Sequence, residues 1–243
     1  MEYLYGRNAV AEVLNTRRRQ VHRVIVAEGT RSLERHVGLA RQLRVPVESA
    51  PRHRLDQLVH GAHHHGIVAE AAAFPYTPLD DLLGNVDEPA LLLLLDSLQD
   101  PQNFGTLLRT AQACAVTGVI IPEHRAVGVT PAVSNASAGA VEHLRVVRET
   151  NLSRAVESLK AHDVWTYGLA VDASQPYWQL DWRAPAALVV GSEGSGLSRL
   201  VRERCDALIT IPMAPNAVQS LNAATAGSLV LYEAFLQRQR ATA

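Results

Sequence analysis

Residues 90–111 read ALLLLLDSLQDPQNFGTLLRTA, and this stretch decides the fold. Positions 91–95 form an uninterrupted apolar run that ends at Asp96, which is typical of a strand buried on both faces of a parallel sheet. A helical pattern at residues 104–115 follows this strand directly. A buried strand that leads into a helix predicts an α/β unit.

The same pattern continues toward the carboxyl terminus. Further strands are predicted at residues 119–121, 164–170, 187–190 and 207–211, with helices between several of them. This alternation predicts a largely parallel sheet covered by helices. Ligands bind beyond the carboxyl ends of the strands in such sheets, so the loops at that end are the candidate site.

The first 73 residues predict a smaller α/β unit. Helices are expected at residues 8–14, 33–43 and 54–59, and strands at residues 21–27, 45–48 and 67–72. This part contains 11 arginines against seven acidic residues, a net charge of +4, whereas the remainder has 12 basic and 17 acidic residues, a net charge of −5. The first unit is therefore the better candidate for contacting phosphate.

Proline and acidic residues without sustained periodicity predict a linker at residues 74–87, with one short helix at residues 79–83. The chain is thereby divided into residues 1–73, 74–87 and 88–243. The apolar stretches fall short of the roughly 20 residues that a membrane span needs, and the amino terminus lacks a charged head and apolar run, so a cytoplasmic protein is expected. The two cysteines, Cys114 and Cys205, lie in apolar periodic segments and are expected to be buried and reduced.

The first candidate loop contains Asn103 and Arg109. We predict that Asn103 is the N-cap of the helix that follows, and the alternative is an ordinary capped helix with a surface arginine. The two residues are six positions apart and do not share a helix face. A joint role would require the cap geometry to bring them together.

The second candidate loop, residues 189–198, reads VVGSEGSGLS. Gly191, Gly194 and Gly196 suit a tight turn that a flat ligand can approach, with Glu193 in its middle. The glycine spacing does not match the dinucleotide-binding fingerprint, and many strand-to-helix turns look like this. The loop is therefore a weak signal when taken alone.

The third candidate loop lies within ITIPMAPNAVQSLNAATAG, residues 209–227. A strand is predicted to end at Ile211, and a long helix is predicted to begin at Ser220 or Leu221. Ser220 and Asn222 could serve simply as caps of that helix. The small residues that follow predict close packing of this helix against another.

Together, and in this order, the three loops resemble the signature motifs of the SpoU/TrmH (SPOUT) methyltransferases. The resemblance covers about residues 88–240 and includes TPAVSNASAGAVEHLRVVRETNL, residues 130–152. Residues 1–73 open with YGRNAVAEVL and close with HHGIVAEA, and they resemble the ribosomal-protein-like substrate-binding domain of many family members. Between Ile211 and Ser220 the chain is one residue longer than the family pattern, which predicts a bulge near residues 215–216.

The resemblance implies an S-adenosylmethionine-dependent RNA 2′-O-methyltransferase with no metal. Its expected fold is α/β, with a small RNA-binding domain before a parallel-sheet domain that contains a deep trefoil knot. The subgroup implied methylates a guanosine of large-subunit rRNA, and the family works as homodimers with the active site near the interface. The alternatives are a tRNA or antibiotic-target rRNA substrate, or a non-catalytic ribosome-assembly protein with a degenerate site.

The resemblance also implies roles for individual residues. Arg109 would contact the ribose hydroxyl and the adjacent phosphate, and it would be held with the RNA backbone by Asn103, Glu193, Ser220 and Asn222. The cofactor would be bound by Leu169, Ala170, Gly191, Gly196, Ile211, Ser220 and Leu221.

Candidate RNA contacts lie in the first unit. Arg7 and the basic turn Arg17, Arg18 and Arg19 are expected to bind phosphate. The three histidines at residues 63–65 suggest a metal site, but consecutive residues of a strand alternate between its faces. We therefore expect them to have a surface or RNA-contacting role.

Overall fold

The computed structural model describes residues 1–84, 89–216 and 220–242. The chain forms two compact units, of which the first comprises Met1–Pro75 and Val129–His143 and the second comprises Tyr76–Gly128 and Leu144–Ala243. An α/β fold with a small amino-terminal domain and a parallel-sheet domain is confirmed. Residues 85–87 of the expected linker lie outside the described residues, and the boundaries at residues 73 and 88 stay a prediction.

The amino-terminal part of the first unit contains four strands and three helices. In chain order these are β1 (Glu2–Tyr5), α1 (Arg7–Thr16), β2 (Val21–Ala27), α2 (Glu34–Gln42), β3 (Val47–Ala50), α3 (Arg52–Leu58) and β4 (Ile67–Ala71). The sheet order is β1-β4-β2-β3, with β4 antiparallel to β1 and β2 and with β2 parallel to β3. All six predicted elements are present, β2 with the predicted ends and the other five with shifted ends, and the additional strand, β1, is only four residues long.

The rest of the chain supplies the larger sheet. Its elements are α4 (Leu79–Gly84), β5 (Leu91–Asp96), α5 (Pro101–Ala113), β6 (Gly118–Pro122), α6 (Pro131–Ala136), β7 (Val146–Glu149), α7 (Leu152–Lys160), β8 (Trp165–Leu169), β9 (Gln175–Pro176), β10 (Ala186–Gly191), α8 (Arg199–Arg204), β11 (Ala207–Thr210) and α9 (Ala223–Thr242). All of these except α6 belong to the second unit. The described strands of this unit pair in parallel, in the order β7-β6-β5-β10-β8-β11-β9.

Strands β5 and β10 form the centre of the parallel sheet. All six residues of each strand are buried, as the apolar run at positions 91–95 predicted. In their register Gly191 lies beside Asp96. The loops that follow the two strands therefore start side by side.

Asp100, and not Asn103, is the N-cap of α5. Its carboxylate accepts hydrogen bonds from the backbone N–H groups of Gln102 at 3.1 Å and of Asn103 at 3.3 Å, and Pro101 is the first helical residue. The predicted cap was wrong because an aspartate followed by proline is a stronger start signal than an asparagine inside the first turn. The Asn103 side chain is thereby left to make other contacts.

Helices α5 and α9 pack closely, as the small residues of α9 predicted. A Cβ at Gly227 would lie 2.7 Å from Cδ2 of Leu107, which is closer than two non-bonded carbon atoms normally approach. The hydroxyl groups of Thr110 and Ser228 share a hydrogen bond of 2.9 Å between the same helices. The glycine thus sets the distance between the helices that carry the first and third loops.

Arg19 lies inside the first unit and is not available at its surface. Its Nε donates to Glu142 Oε2 at 3.0 Å, its Nη1 donates to Glu2 Oε2 at 2.7 Å, and the side chains of Arg19 and Glu142 are 1% and 0% exposed. This burial overturns the predicted phosphate contact at Arg19. The left-handed backbone of Arg17, with φ of 52°, ends α1 and turns the chain so that Arg19 points inward. Arg17 itself is exposed and Arg18 is half-buried.

Both cysteines are free thiols, Cys114 buried and Cys205 half-buried. Burial raises the pKa of Cys114 to about 11 and that of Cys205 to about 12, so both stay protonated at neutral pH. In the described part of the chain, no helix is both long and apolar enough to cross a membrane.

Candidate active site

A cavity of about 320 Å³ lies beyond the carboxyl ends of β8, β10 and β11. All seven residues expected to hold the cofactor line it, namely Leu169, Ala170, Gly191, Gly196, Ile211, Ser220 and Leu221. Val190, Ala223 and Ala226 add further apolar wall. An apolar cavity of this size with a few polar groups is typical of a small-molecule site.

A tight turn after β10 forms one wall of the cavity. Ser192 and Gly196 exchange two backbone hydrogen bonds, of 3.1 and 3.0 Å. A Cβ at Gly191 would lie 2.1 Å from the carbonyl carbon of Gly196, and Gly196 itself has φ of +65°. Both positions therefore require glycine, whereas a Cβ at Gly194 would meet nothing within 4 Å.

Asp96 anchors this turn from the neighbouring strand. Its Oδ2 accepts a hydrogen bond of 2.6 Å from the backbone N–H of Ser198, and its Oδ1 accepts one of 3.2 Å from the Ser97 hydroxyl. The side chain is buried although it is charged. Sequence reasoning used Asp96 only to end a strand, and the signal that it missed was an acid at the carboxyl end of a central parallel strand.

One hydrogen-bonded chain joins polar residues of all three loops. The Asn103 amide donates to Glu193 Oε1, and the Asn222 amide donates to Asn103 Oδ1 at 3.0 Å. The Oδ1 of Asn222 accepts from the backbone N–H groups of Ala224 at 2.9 Å and Thr225 at 3.2 Å, so Asn222 also caps α9. Asn103 and Asn222 thus lie at the starts of α5 and α9, and Glu193 lies in the turn after β10 that lines the cavity.

Arg109 stands apart from this chain of hydrogen bonds. It lies six residues beyond Asn103 in α5, which is about 9 Å along the helix axis. The side chain is exposed, and no described residue forms a hydrogen bond or ion pair with its guanidinium. Among the described residues, Asn103 therefore forms its side-chain hydrogen bonds with Glu193 and Asn222 and forms none with Arg109. Ser220, the remaining residue that the resemblance assigned beside Arg109, lines the cavity.

Two charged residues that were not predicted also line the cavity. Arg202 donates to both carboxylate oxygens of Asp172, at 2.9 and 2.8 Å, and these hydrogen bonds lower the pKa of Asp172. Their opposite charges offset one another. Glu193 is the other acid of the lining, so the cavity carries a net negative charge that suits a cationic ligand.

The third loop is described only in part. Residues 215–216 form a turn, in which Asn216 has φ of 62°, and residues 217–219 lie outside the described residues. Helix α9 begins at Ala223, two to three residues later than expected. The predicted bulge near residues 215–216 thus coincides with a turn in a left-handed conformation.

The histidines at residues 63–65 lie in the loop before β4, so the alternation of strand faces does not apply to them. His64 is buried, with Nε2 3.0 Å from Asp56 Oδ1 and with Nδ1 accepting from the Gly66 N–H, whereas His63 and His65 are exposed. Within the described ranges, no group of three or more histidine, cysteine or acidic residues is placed to hold a metal ion.

Family models match both parts of the chain and define an RNA methyltransferase. Residues 90–232 match the SpoU rRNA Methylase family, and residues 3–77 match the family described as RNA 2′-O ribose methyltransferase substrate binding. The chain therefore belongs to the SpoU rRNA methylase family.

Individual relatives agree with this assignment. The chain is 42% identical over 242 residues to YacO of Bacillus subtilis (strain 168), which bears the name of a TrmH family tRNA/rRNA methyltransferase, and the match covers 98% of this chain and 96% of that one. It is 38% identical over 244 residues to the 23S rRNA (guanosine-2′-O-)-methyltransferase RlmB of Pseudomonas putida, with 98% of each chain covered. The SpoU methyltransferase AviRb of Streptomyces viridochromogenes, solved in complex with AdoMet, superposes with a TM-score of 0.84 at 26% identity, covering 98% of this chain and 90% of that one.

Proposed function

We propose that the protein methylates the 2′-hydroxyl of a guanosine in large-subunit (23S-type) rRNA, with S-adenosylmethionine as the methyl donor. The observation that carries the proposal is the cavity to which the second and third loops both contribute, since it contains all seven positions that the resemblance assigns to the cofactor. The Pseudomonas putida relative is named for a guanosine 2′-O position of 23S rRNA, which supports the choice of nucleotide. A cytoplasmic location follows from this substrate and is part of the proposal.

The lining residues fit S-adenosylmethionine. Apolar side chains such as Leu169 and Ile211 suit a flat purine, and the tight turn at Gly191 and Gly196 brings the backbone itself into the cavity wall. The net negative charge contributed by Glu193 suits a sulfonium. When bound, the donor supplies a methyl group that is activated by the positive sulfur.

We assign the protein side chains to positioning the ribose. Asn103, Glu193 and Asn222 are held by their mutual hydrogen bonds, so they form a prearranged polar edge for the RNA backbone and the 2′-hydroxyl. Ser220 contributes a hydroxyl on the cavity side. A guanidinium stays protonated in proteins, so Arg109 is assigned to bind the neighbouring phosphate and to orient the nucleophile, not to act as a base.

The proposal includes the deep trefoil knot of the family. Strand β10 follows β8 in the chain, yet it lies between β8 and β5, and β11 pairs with the other edge of β8. This interleaving of strands supports a chain path that crosses itself, which ordinary α/β folds avoid.

Methyl transfer to unmodified large-subunit rRNA tests this function. We expect the purified protein to transfer label from tritiated S-adenosylmethionine to an rRNA transcript, and site-resolved mapping of alkali-resistant positions to find one 2′-O-methylguanosine. An unmodified tRNA pool serves as the control substrate. Label on tRNA, or on an antibiotic-target site of rRNA, would replace the proposed substrate, and calorimetric cofactor binding without transfer to any RNA would indicate a non-catalytic relative.

We also propose that the protein is a homodimer that packs through α9. Leu229, Tyr232 and Leu236 follow one another at helical spacing on this helix and are 43%, 52% and 37% exposed. An exposed apolar stripe on a helix is typical of an interaction surface. Because α9 also carries the third loop, such a dimer would place its interface beside the site.

Tyr232→Glu tests this dimer. A charge in the centre of the apolar stripe is expected to convert the dimer to a monomer at micromolar concentration in sedimentation velocity. Trp165→Glu is the matched control, because Trp165 is a similarly exposed aromatic residue, at 55%, that lies on β8 and not on α9. A wild-type protein that sediments as a monomer would contradict the proposal.

A further inference from the structure

An ion pair forms one edge of the cavity. Asp172 lies in the turn after β8, and Arg202 lies on α8. Both residues line the cavity, and the guanidinium donates from Nη1 to Oδ1 at 2.9 Å and from Nη2 to Oδ2 at 2.8 Å. The Arg202 side chain is 38% exposed and the Asp172 side chain is 62% exposed. The cavity therefore has a charged edge that is open to solvent.

Both members of this pair can bind a ligand while they bind each other. A guanidinium has five N–H donors. Two of them bind Asp172, and the other three form no hydrogen bond with a residue that the structure describes. The hydrogen bonds from Arg202 lower the pKa of Asp172, so its carboxylate is ionised at neutral pH. The pair thus offers a cation and an anion side by side to a ligand in the cavity.

The strand order separates this edge from the residues assigned to the ribose of the RNA. Asn103 follows β5, Glu193 follows β10 and Asp172 follows β8, and β10 lies between the other two strands. Neighbouring strands are about 4.8 Å apart, so the chain leaves β8 about 10 Å from where it leaves β5. Glu193 and Asp172 both line the cavity. A ligand whose reacting atom lies beside Glu193 can therefore extend toward the ion pair.

We propose that this ion pair binds the amino-acid end of S-adenosylmethionine, with Arg202 contacting the α-carboxylate and Asp172 contacting the α-ammonium. The inference rests on the part of the proposed function that places this cofactor in the cavity. A planar guanidinium matches a carboxylate in two-point hydrogen bonds, and an ionised carboxylate attracts an ammonium. The amino-acid end carries two full charges, so a solvent-exposed edge costs it less desolvation than the apolar wall would.

The ribose of the cofactor is the alternative ligand for this edge. Its two hydroxyls could donate to Asp172 and would need only that acceptor. A neutral diol would leave the positive charge of Arg202 without a role, and it would share the carboxylate oxygens that Arg202 already binds. A zwitterion uses both charges at once. The paired charges therefore favour the amino-acid end.

Calorimetry of the full-length protein with two thioethers tests the assignment. S-adenosylhomocysteine and 5′-methylthioadenosine share the adenosine and an uncharged sulfur, but only the first has the amino-acid end. Arg202→Gln is expected to bind S-adenosylhomocysteine about tenfold more weakly, because a charge-assisted hydrogen bond to the carboxylate is lost. Its affinity for 5′-methylthioadenosine is expected to change less than about twofold. Equal losses for both ligands, or a loss for neither, would overturn the proposal.

Arg199→Gln is the matched control. It makes the same chemical change on the same helix and also breaks an ion pair, because Arg199 Nη1 lies 2.9 Å from Glu203 Oε1. Arg199 is absent from the described lining of the cavity, so this variant should bind S-adenosylhomocysteine within about twofold of the wild type. Retained binding of 5′-methylthioadenosine by Arg202→Gln verifies that the test variant is folded.

A ligand without the carboxylate distinguishes the roles of the two charges. Decarboxylated S-adenosylmethionine keeps the ammonium and the sulfonium. Asp172→Asn is expected to bind it several-fold more weakly, because the ammonium loses its counter-charge. Arg202→Gln should bind it no more weakly than the wild type does, since this ligand has no carboxylate and the positive charge beside its ammonium is removed. A loss in Arg202→Gln as large as that for S-adenosylmethionine would contradict the assigned roles.

The outcomes separate this inference from the proposed function. If the protein methylates rRNA but Arg202→Gln binds both thioethers as the wild type does, the ion pair does not bind the cofactor and the proposed function stands. If the amino-acid end is bound as proposed but the methyl group is transferred to tRNA, the proposed substrate fails and the inference stands. If the wild type binds none of these ligands, the cofactor site and the inference fail together.

Discussion

Replacing Arg109 with lysine is expected to lower the rate of methyl transfer at saturating RNA about a hundredfold, with little change in RNA affinity. Lysine keeps the positive charge, but its ammonium lacks the rigid planar set of donors with which a guanidinium can hydrogen-bond a phosphate and a hydroxyl at once. Loss of such positioning lowers turnover more than binding, because it matters most in the transition state. Single-turnover transfer from tritiated S-adenosylmethionine measures the rate, and filter binding measures the affinity.

The position of Arg109 allows this prediction to distinguish a role in the reaction from a structural role. The side chain is exposed, and it lies about 9 Å along α5 from Asn103, so a structural role in holding the hydrogen-bonded chain is not expected. Arg154→Lys, at an exposed position of α7, is the matched control and should leave transfer unchanged. Normal turnover in Arg109→Lys would remove this residue from the mechanism.

The framework of the second unit could be predicted because its signals are local. The apolar run at positions 91–95 identified a buried strand, and the glycines at 191 and 196 identified a turn that approaches its ligand closely. The short strands β7 and β9 were missed, since four and two residues are too few to show a period. The true cap at Asp100 was also a local signal, and it was overlooked in favour of Asn103.

What sequence reasoning could not supply was contact between distant residues. The hydrogen bond from Asn103 to Glu193 spans 90 positions, and the pair of Arg19 with Glu142 spans 123. No periodicity reports such contacts, so the run of arginines at residues 17–19 was interpreted as a basic surface turn that binds phosphate. The same limit applied to Val129–His143, which follows the first loop in the chain but packs with the first unit.

The pair of Arg19 with Glu142 should dominate the stability of the first unit. Glu142→Gln is expected to lower the free energy of unfolding by about 3 kcal/mol, because it leaves a buried guanidinium without its main counter-charge. Glu2 also pairs with Arg19 but is 24% exposed, so it compensates only in part. Urea unfolding measures the loss, and hydrogen exchange in α1 and α6 locates it in this unit.

Two comparisons distinguish a lost ion pair from general damage. Glu48→Gln makes the same chemical change in the same unit at a side chain that is 41% exposed, and it should move the urea midpoint little. Arg19→Met/Glu142→Leu removes both charges and should recover most of the stability lost in Glu142→Gln, since no unpaired charge is then buried. If Glu142→Gln unfolds at the wild-type urea concentration, the pair does not hold Val129–His143 to the rest of the first unit. If Glu142→Gln is destabilised and Arg19→Met/Glu142→Leu recovers most of the lost stability, the loss in Glu142→Gln comes mainly from the buried, unpaired charge of Arg19. The loss of one hydrogen bond then contributes less.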